Sequence, residues 1–326
     1  LIRPLGELMV SVIQKVLVIG GGVTGMTDAL KLADQGFEVF LLEKEPELGG
    51  NIRNLYYTLE GEEVQAFLKD LIGKVTSHPT IHVITNALVV DFSGSKGNFS
   101  TGVMVAPTMY YRKIEHGITI LATGAEEWKP TEYLYGQDPR IVTQIELENR
   151  IAHQPNEVAR ANQVVMIQCV GSRNEERPYC SRTCCATAVK NALKIKELNP
   201  NAKISILYRD MRTYGLLESY YAQARDKGIM FVKYEPEAKP EVKKDGQSLS
   251  ISFMDRILKE QMEIKPDLLV LSVATIPREN EELATMLKVP RTAEGFFLEA
   301  HMKLRPVDFA TDGLYLAGAG HGPKLI

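Results

Sequence analysis

A short apolar run, Lys15-Val16-Leu17-Val18-Ile19, stops abruptly at Gly20-Gly21-Gly22-Val23-Thr24-Gly25. A β-rich run of this length bounded by glycine predicts a buried strand. The residues that follow predict an amphipathic helix with Ala29, Leu30, Leu32 and Ala33 as its apolar positions, and Gly36 suits the position just past its end. A second strand, Glu38 to Leu42, runs into Glu43. Two strands joined by a helix in this way belong to a parallel sheet, so this order constrains the fold more than any other feature. Within it Gly20, Gly22 and Gly25 fit G-x-G-x-x-G. The first allows a tight turn, the second lets a pyrophosphate approach the backbone, and the third allows close helix–strand packing. Glu43, 18 residues after Gly25, stands where a carboxylate accepts ribose hydroxyls. The combination implies a dinucleotide site; the bland alternative is a glycine-rich turn in an unliganded α/β domain.

Composition narrows the setting. At 326 residues the chain has length for about two domains. A net charge of −3 argues against a basic nucleic-acid or anionic-membrane surface. No apolar run approaches the ~20 residues of a membrane span, and Leu1 to Val10 lack the regions of a signal peptide. The expectation is a cytoplasmic globular protein. All four cysteines, Cys169, Cys180, Cys184 and Cys185, fall in one 17-residue window. Such clustering points to metal binding or redox chemistry rather than to a disulfide framework.

Two later stretches bear on which dinucleotide is bound. Gly117 to Gly124 reads as a strand ending in Ala122-Thr123-Gly124, and Asp312 to Gly318 repeats that logic with a turn, a strand and a small-residue loop. Together with Leu48-Gly49-Gly50-Asn51, they resemble the two-dinucleotide-binding-domain flavoproteins of the glutathione and thioredoxin reductase class. That resemblance implies FAD, with Gly20, Gly22, Gly25, Glu43, Lys44, Gly49, Gly50, Asn51, Thr123, Gly124 and Gly318 as cofactor-binding candidates. It also implies an α/β fold of two Rossmann-like domains. Residues 15–157 and 289–326 would form a discontinuous FAD domain, 158–288 an inserted domain, and 1–14 an N-terminal extension.

The inserted part has its own strand, Gln163 to Ile167, helix, Ala186 to Leu198, and next strand, Lys203 to Tyr208. Lys239 to Gln247 reads as a charged loop, Ser250–Phe253 and Gln261–Ile264 as a hairpin, and Asp267–Val273 as a buried strand. Its first strand runs into Gln168-Cys169-Val170-Gly171-Ser172-Arg173, with no second G-x-G-x-x-G, so a nicotinamide cradle is not evident. The cysteines take that place. Cys180 and Cys184, four apart, would share a face of a helix that starts early enough. Four thiolates suit a four-iron cluster or a tetrahedral zinc; inert thiols and a redox dithiol are the other readings.

Cys169-Val170-Gly171-Ser172-Arg173 and Tyr179-Cys180-Ser181-Arg182-Thr183-Cys184-Cys185 closely resemble the A subunit of heterodisulfide reductase and its relatives. The resemblance implies that Cys169, Cys180, Cys184 and Cys185 ligate a non-standard [4Fe–4S] cluster close to FAD. It implies Lys190 and Lys324 as flavin-side lysines and Glu146 as an acidic position, against which Lys190 can be read as a solvated helix lysine. Arg173, Arg177 and Arg182 would rim the cysteines, while Trp128 reads as packing and His321 as incidental. Long members of the family carry ferredoxin-type domains. Here residues 98–120 pass from strand to strand through a short loop at the place of that insertion, which suggests a core-only relative or a trimmed chain.

The expected function is that of an FAD and [4Fe–4S] electron-transfer subunit of a heterodisulfide reductase-like complex, with sulfur metabolism as its setting. The partners would be other subunits or a second copy of the chain, with no nucleic acid and no membrane span. The alternative is a free-standing NAD(P)H-dependent thiol/disulfide flavoreductase using the cysteines as a dithiol. A flavoprotein scaffold with a zinc staple is the third reading.

Overall fold

The computed structural model describes residues 11–325. They divide into two compact units, one of residues 11–50, 67–124 and 277–322, the other of residues 51–66, 125–276 and 323–325. Most of the expected N-terminal extension, and all of Leu1 to Val10, lies outside the described residues. Where the description begins, the Ile13 amide donates to Gly97 O at 2.9 Å.

The first unit is built on a five-stranded parallel sheet in the order Leu314–Leu316, Ile118–Leu121, Lys15–Ile19, Glu38–Leu42, Ile81–Ile84. Lys15–Ile19 lies at its centre, and its Val16 to Ile19 are buried on both faces, as a continuous apolar run requires. The helix Val23–Ala33 follows and stops where Gly36, at φ +92°, takes the left-handed conformation. A three-stranded antiparallel sheet, Ala87–Ser95, Asn98–Val105 and Tyr110–His116, occupies the stretch that the sequence passes through a short loop. The core gathers Leu17, Phe40, Leu42, Leu121, Phe297 and Phe309. Burying each such side chain stabilises the fold by about 1.5–3 kcal/mol.

The second unit repeats the design. Its parallel sheet runs Met230–Lys233, Lys203–Tyr208, Gln163–Val170, Leu268–Val273, Ile141–Thr143. The helix Cys184–Leu198 makes the crossover from Gln163–Val170 to Lys203–Tyr208 and buries Ala188, Val189, Ala192 and Ile195 against Val164, Met166 and Ile204. The hairpin is present as Ser248–Asp255 paired antiparallel with Glu260–Ile264.

Three expectations need correction. The expected boundaries at 157/158 and 288/289 fall instead at 124/125 and 276/277. Ile141–Thr143 pairs with Leu268–Val273, which binds its neighbourhood to the second unit, whereas Ala284 and Leu287 of the helix Glu281–Leu287 enter the core of the first. Lys239 to Gln247 is no mere loop: Glu241–Asp245 is an edge strand paired with Ser248–Asp255, and its mostly exposed charged residues mask the strand signal. The crossover helix starts at Cys184, so Cys180 lies outside it and the two share no helical face.

Candidate functional sites

In the first unit the glycine turn is sterically compulsory. A Cβ on Gly20, which sits at φ +117°, would fall 2.2 Å from Ala122 O, and one on Gly25 would fall 1.9 Å from Gly20 O. Gly22 faces open space, with nothing within 4 Å of such a Cβ. These are the turn, packing and approach roles that the motif assigns. Gly22 also caps the helix Val23–Ala33 without any side-chain hydrogen bond, and no acid lies in the first turn. Its amides and dipole are therefore left for an anion.

The other expected residues assemble around this turn. Gly49 donates its amide to Gly21 O at 2.8 Å, and a Cβ on Gly50 would lie 3.3 Å from Gly22 Cα. Glu43 is buried: its Oε2 accepts from the Gly21 amide at 2.7 Å and its Oε1 from the Glu45 amide at 2.9 Å. Lys44 is exposed. Thr123 Oγ1 is buried with no hydrogen-bond partner, Gly124 at φ +76° borders open space, and Gly318 approaches Thr24 closely. An orphaned hydroxyl beside an open glycine cradle and an uncapped helix fits a bound dinucleotide. Asn51 belongs to the second unit, where its Nδ2 donates to Ala125 O at 2.7 Å. Sequence reasoning missed Asp28 on the motif helix: its Oδ2 is buried without a partner, and burial pushes its carboxyl up to about 6.

In the second unit the cysteines lie at the strand-to-helix connection. Cys169, in the strand Gln163–Val170, has left-handed backbone at φ 62°, as do Arg173 and Arg182 in the loop that follows. Gly171 is required by Trp128, whose ring a Cβ would meet at 2.1 Å, and Arg177 stacks on that ring at 4.5 Å. Trp128 is thus the packing residue expected. The Arg182 amide donates to Cys180 Sγ at 3.3 Å, and Cys185 Sγ to Asp210 O at 3.7 Å.

Three of the thiols are shifted by burial and by their neighbours. Burial pushes Cys169 up to about 11, with Cys185 and Cys180 adding to the rise. Cys184 is raised well above the usual thiol range, first by its hydrogen bond with Cys185 and then by burial. The same bond, with help from Arg212 and Arg173, holds Cys185 down at about 7. Among the described residues no three or more His, Cys, Asp or Glu side chains are set to hold a metal ion. The donor set is nevertheless all thiol, which is the chemistry an iron–sulfur cluster takes.

Lys190 and Glu146 have other partners. Lys190 Nζ donates to Glu148 Oε2 at 2.7 Å and to Tyr57 O at 2.9 Å, and lies 4.6 Å from the Tyr57 ring centre. Burial lowers its pKa, while Glu148 works the other way. Glu148 is 0% exposed and also accepts from the Tyr56 amide at 2.7 Å. The chain continues through Tyr57 Oη to Asn191 Oδ1 at 2.8 Å, from Asn191 Nδ2 to Gln144 Oε1 at 2.8 Å, and from Gln144 Nε2 to Ser272 Oγ at 3.0 Å. Glu146 closes a capping box with Thr143 and accepts from Tyr135 Oη at 2.6 Å. Lys324 is exposed, and His321 Nε2 pairs with Glu299 Oε2 at 2.7 Å. The buried Glu148 went unread because nothing in the sequence marks it off from a surface acid of the same helix.

Two Rossmann-like units define an α/β protein of the thioredoxin reductase-like class. Thioredoxin reductase of T. acidophilum superposes on 95% of the chain, covering 91% of its own length, with a TM-score of 0.62 at 15% identity. That of Lactococcus lactis covers 96% and 92%, with a TM-score of 0.61 at 18% identity. Residues 18–67 match the NAD(P)-binding Rossmann-like domain family. The whole chain aligns at 32% identity with 64% of an iron-sulfur A subunit of CoB–CoM heterodisulfide reductase from Methanopyrus kandleri. It aligns at 31% with 63% of the A subunit of H(2):CoB-CoM heterodisulfide,ferredoxin reductase from Methanothermobacter thermautotrophicus. The chain belongs to the family of heterodisulfide reductase A subunits, and it spans a little under two thirds of these relatives' length. The first alignment runs over 420 residues, so that relative carries internal segments that the 326-residue chain lacks. Among the described residues no helix is long and apolar enough to cross a membrane.

Proposed function

We propose that the chain is an FAD- and [4Fe–4S]-carrying electron-transfer subunit of a heterodisulfide reductase-like oxidoreductase complex, working in the reducing cytoplasm on sulfur compounds. The observation that carries this reading is the exchange made in the second unit, where four cysteines stand at the connection that holds the glycine turn in the first. FAD would supply two-electron chemistry and the cluster one-electron steps. Gly20, Gly22, Gly25, Glu43, Lys44, Gly49, Gly50, Asn51, Thr123, Gly124 and Gly318 would hold the flavin nucleotide, and Cys169, Cys180, Cys184 and Cys185 the cluster. Burial holds the Cys169 thiol high and Arg173 beside it only partly opposes this, so ligation would have to draw off its proton. Lys190, Lys324 and Glu146 are kept in this reading as the residues serving the flavin ring, with Lys190 held in place by Glu148. An electron relay needs partners, which would be further subunits of the complex or a second copy of the chain.

Metal and flavin content of anaerobically purified protein, with absorption spectra before and after dithionite, tests the reading. About four irons and one FAD per chain support it, and Cys169→Ala should then lower the iron. FAD accompanied by zinc, or by four titratable thiols and no metal, overturns it. One observation favours a second reading. Cys184 and Cys185 share a hydrogen bond that drives their acidities apart, as in a working dithiol. A free-standing NAD(P)H-dependent thiol/disulfide flavoreductase would show fast flavin reduction by NAD(P)H in protein free of iron.

A further inference from the structure

Beside Cys169 the second unit opens a narrow cleft whose lining includes Tyr133, Cys169, Arg173, Arg209, Tyr234 and Lys239. Of the residues proposed to hold flavin or cluster, only Cys169 lines this space. Its cations are fixed by the fold. Arg173 anchors its Nη2 on Asp210 Oδ2 at 2.7 Å, and Arg209, just past the strand Lys203–Tyr208, donates from Nη1 to Arg173 O at 2.7 Å. These anchors leave donors over, because Arg173 Nη1 and Arg209 Nε are both buried without a hydrogen-bond partner. Buried guanidinium N–H groups are rarely left so, and each calls for an acceptor. The Tyr234 hydroxyl is committed to Gln168 O at 2.7 Å and does not fill that role. Lys239 adds a further cation, while Glu132 is the one carboxylate in the lining, so positive charge is in excess.

We propose that this cleft binds a small oxyanion, of the size of sulfate or phosphate, with Arg173 and Arg209 as its anchoring donors beside the Cys169 sulfur. Guanidinium forks match such oxygens in geometry and charge. The anchoring donors, Arg173 and Arg209, are not among the proposed flavin or cluster ligands, although the site shares Cys169 as a wall with the proposed cluster. One oxyanion chemistry has two sources, inorganic sulfur oxyanions and phosphate, and the test separates them.

The test is calorimetric titration of the full chain, as purified anaerobically, with thiosulfate, sulfate and phosphate at an ionic strength held constant with chloride. Saturable binding is expected, weakened at least about tenfold in Arg209→Gln and partly restored in Arg209→Lys. Lys196→Gln, altering a lysine that bonds Pro200 O and does not line the cleft, should bind like the unmodified chain. Tighter thiosulfate than phosphate assigns the site to sulfur oxyanions, and the reverse assigns it to a phosphate group. If Arg209→Gln fails to fold, Lys239→Gln decides, with weakening of about threefold or more expected. Absence of saturable binding in the unmodified chain overturns the proposal, as does undiminished binding in the cleft variants.

Discussion

The two units are variations on one sheet. In each, the unit's first crossover strand is flanked on one side by the next two strands of the chain and on the other by a late strand, Ile118–Leu121 or Leu268–Val273. The fifth place is filled from opposite ends of the chain: Leu314–Leu316 comes after all the others in the first unit, Ile141–Thr143 before them in the second. The sharper difference is at the first crossover. Between Ile19 and Val23 there are three glycines, whereas between Val170 and Cys184 there are 13 residues, with left-handed backbone at Gly171, Arg173 and Arg182. A short glycine turn presents bare backbone, which suits phosphate and at Gly20 tolerates no side chain. A long loop presents sulfur and guanidinium. The same scaffold thus presents main chain at one crossover and side chains at the other.

The largest effect should come from breaking the main-chain cradle. Gly25→Ala sets a Cβ 1.9 Å from Gly20 O, a backbone atom that cannot step aside without moving the strand end. The expected result is flavin content near zero and a loss of stability of about 4 kcal/mol or more, read from absorbance per chain and from urea unfolding. No single side chain of the cysteine loop should match it. Full flavin occupancy in Gly25→Ala would erase the distinction between the two crossovers.

Next comes the buried pair of the second unit. Lys190→Met leaves Glu148 buried and unpaired, a loss of about 3–5 kcal/mol. Lys190→Met with Glu148→Leu should recover most of that stability. If Lys190 also serves the flavin ring, the flavin midpoint potential shifts in the single variant and stays shifted in the double. A potential that returns with the stability would reduce Lys190 to a structural residue.

Smaller still is a pH effect. Burial pushes the Glu127 carboxyl up to about 7 from an ordinary 4.5, although Thr143 and Lys129 oppose it. The folded chain therefore keeps a proton that the unfolded chain has already released. The stability this confers is full below about 4.5 and is lost as pH rises through 7. Glu127→Gln should flatten the fall in stability between about pH 5 and 8 by on the order of 2 kcal/mol. His116 in the first unit has the opposite sign. Burial pulls it down to about 4, so its contribution is lost as pH falls from 6.5 through 4, while Asp28, raised to about 6, behaves like Glu127. Urea titrations of the variant and the unmodified chain across this range decide it; parallel curves would count against a buried Glu127.

What could be read from the sequence follows the same division. The turn of the first crossover was legible, because Gly20 and Gly25 answer steric demands that no side chain meets and Glu43 answers a hydrogen-bonding one, whereas Asp28 on the same helix gave no signal. The cysteines were legible as a group, but their geometry was not. Helix onset at Cys184 depends on a loop whose turns lie at Arg173 and Arg182, residue types that give no left-handed signal. The edge strand Glu241–Asp245 hid behind its charges, and the domain boundary behind Ile141–Thr143, a three-residue strand whose place is set by a partner more than 120 residues away. Glu148 and Lys190 look like helix-surface charges, and only tertiary packing buries them.

The smallest expected effect tests how far the second unit gives up stability for its site. Gln168 immediately precedes Cys169, is 0% exposed, and leaves both Nε2 and Oε1 without a hydrogen-bond partner. On the same strand Val164 and Met166 belong to the apolar core, so the strand's own alternation calls for an apolar residue at 168. An amide buried in this way costs about 1–3 kcal/mol, and an apolar residue of like volume avoids the cost. Gln168→Met should thus stabilise the metal-free chain by about 1 kcal/mol, measured as a rise in the urea midpoint at unchanged slope. If the amide is kept for the cysteine site, the same variant in iron-loaded protein should shift the midpoint potential of the cluster. A metal-free variant less stable than the unmodified chain would mean that the amide has a partner of its own, and Gln168 would then give up no stability for the cysteine site.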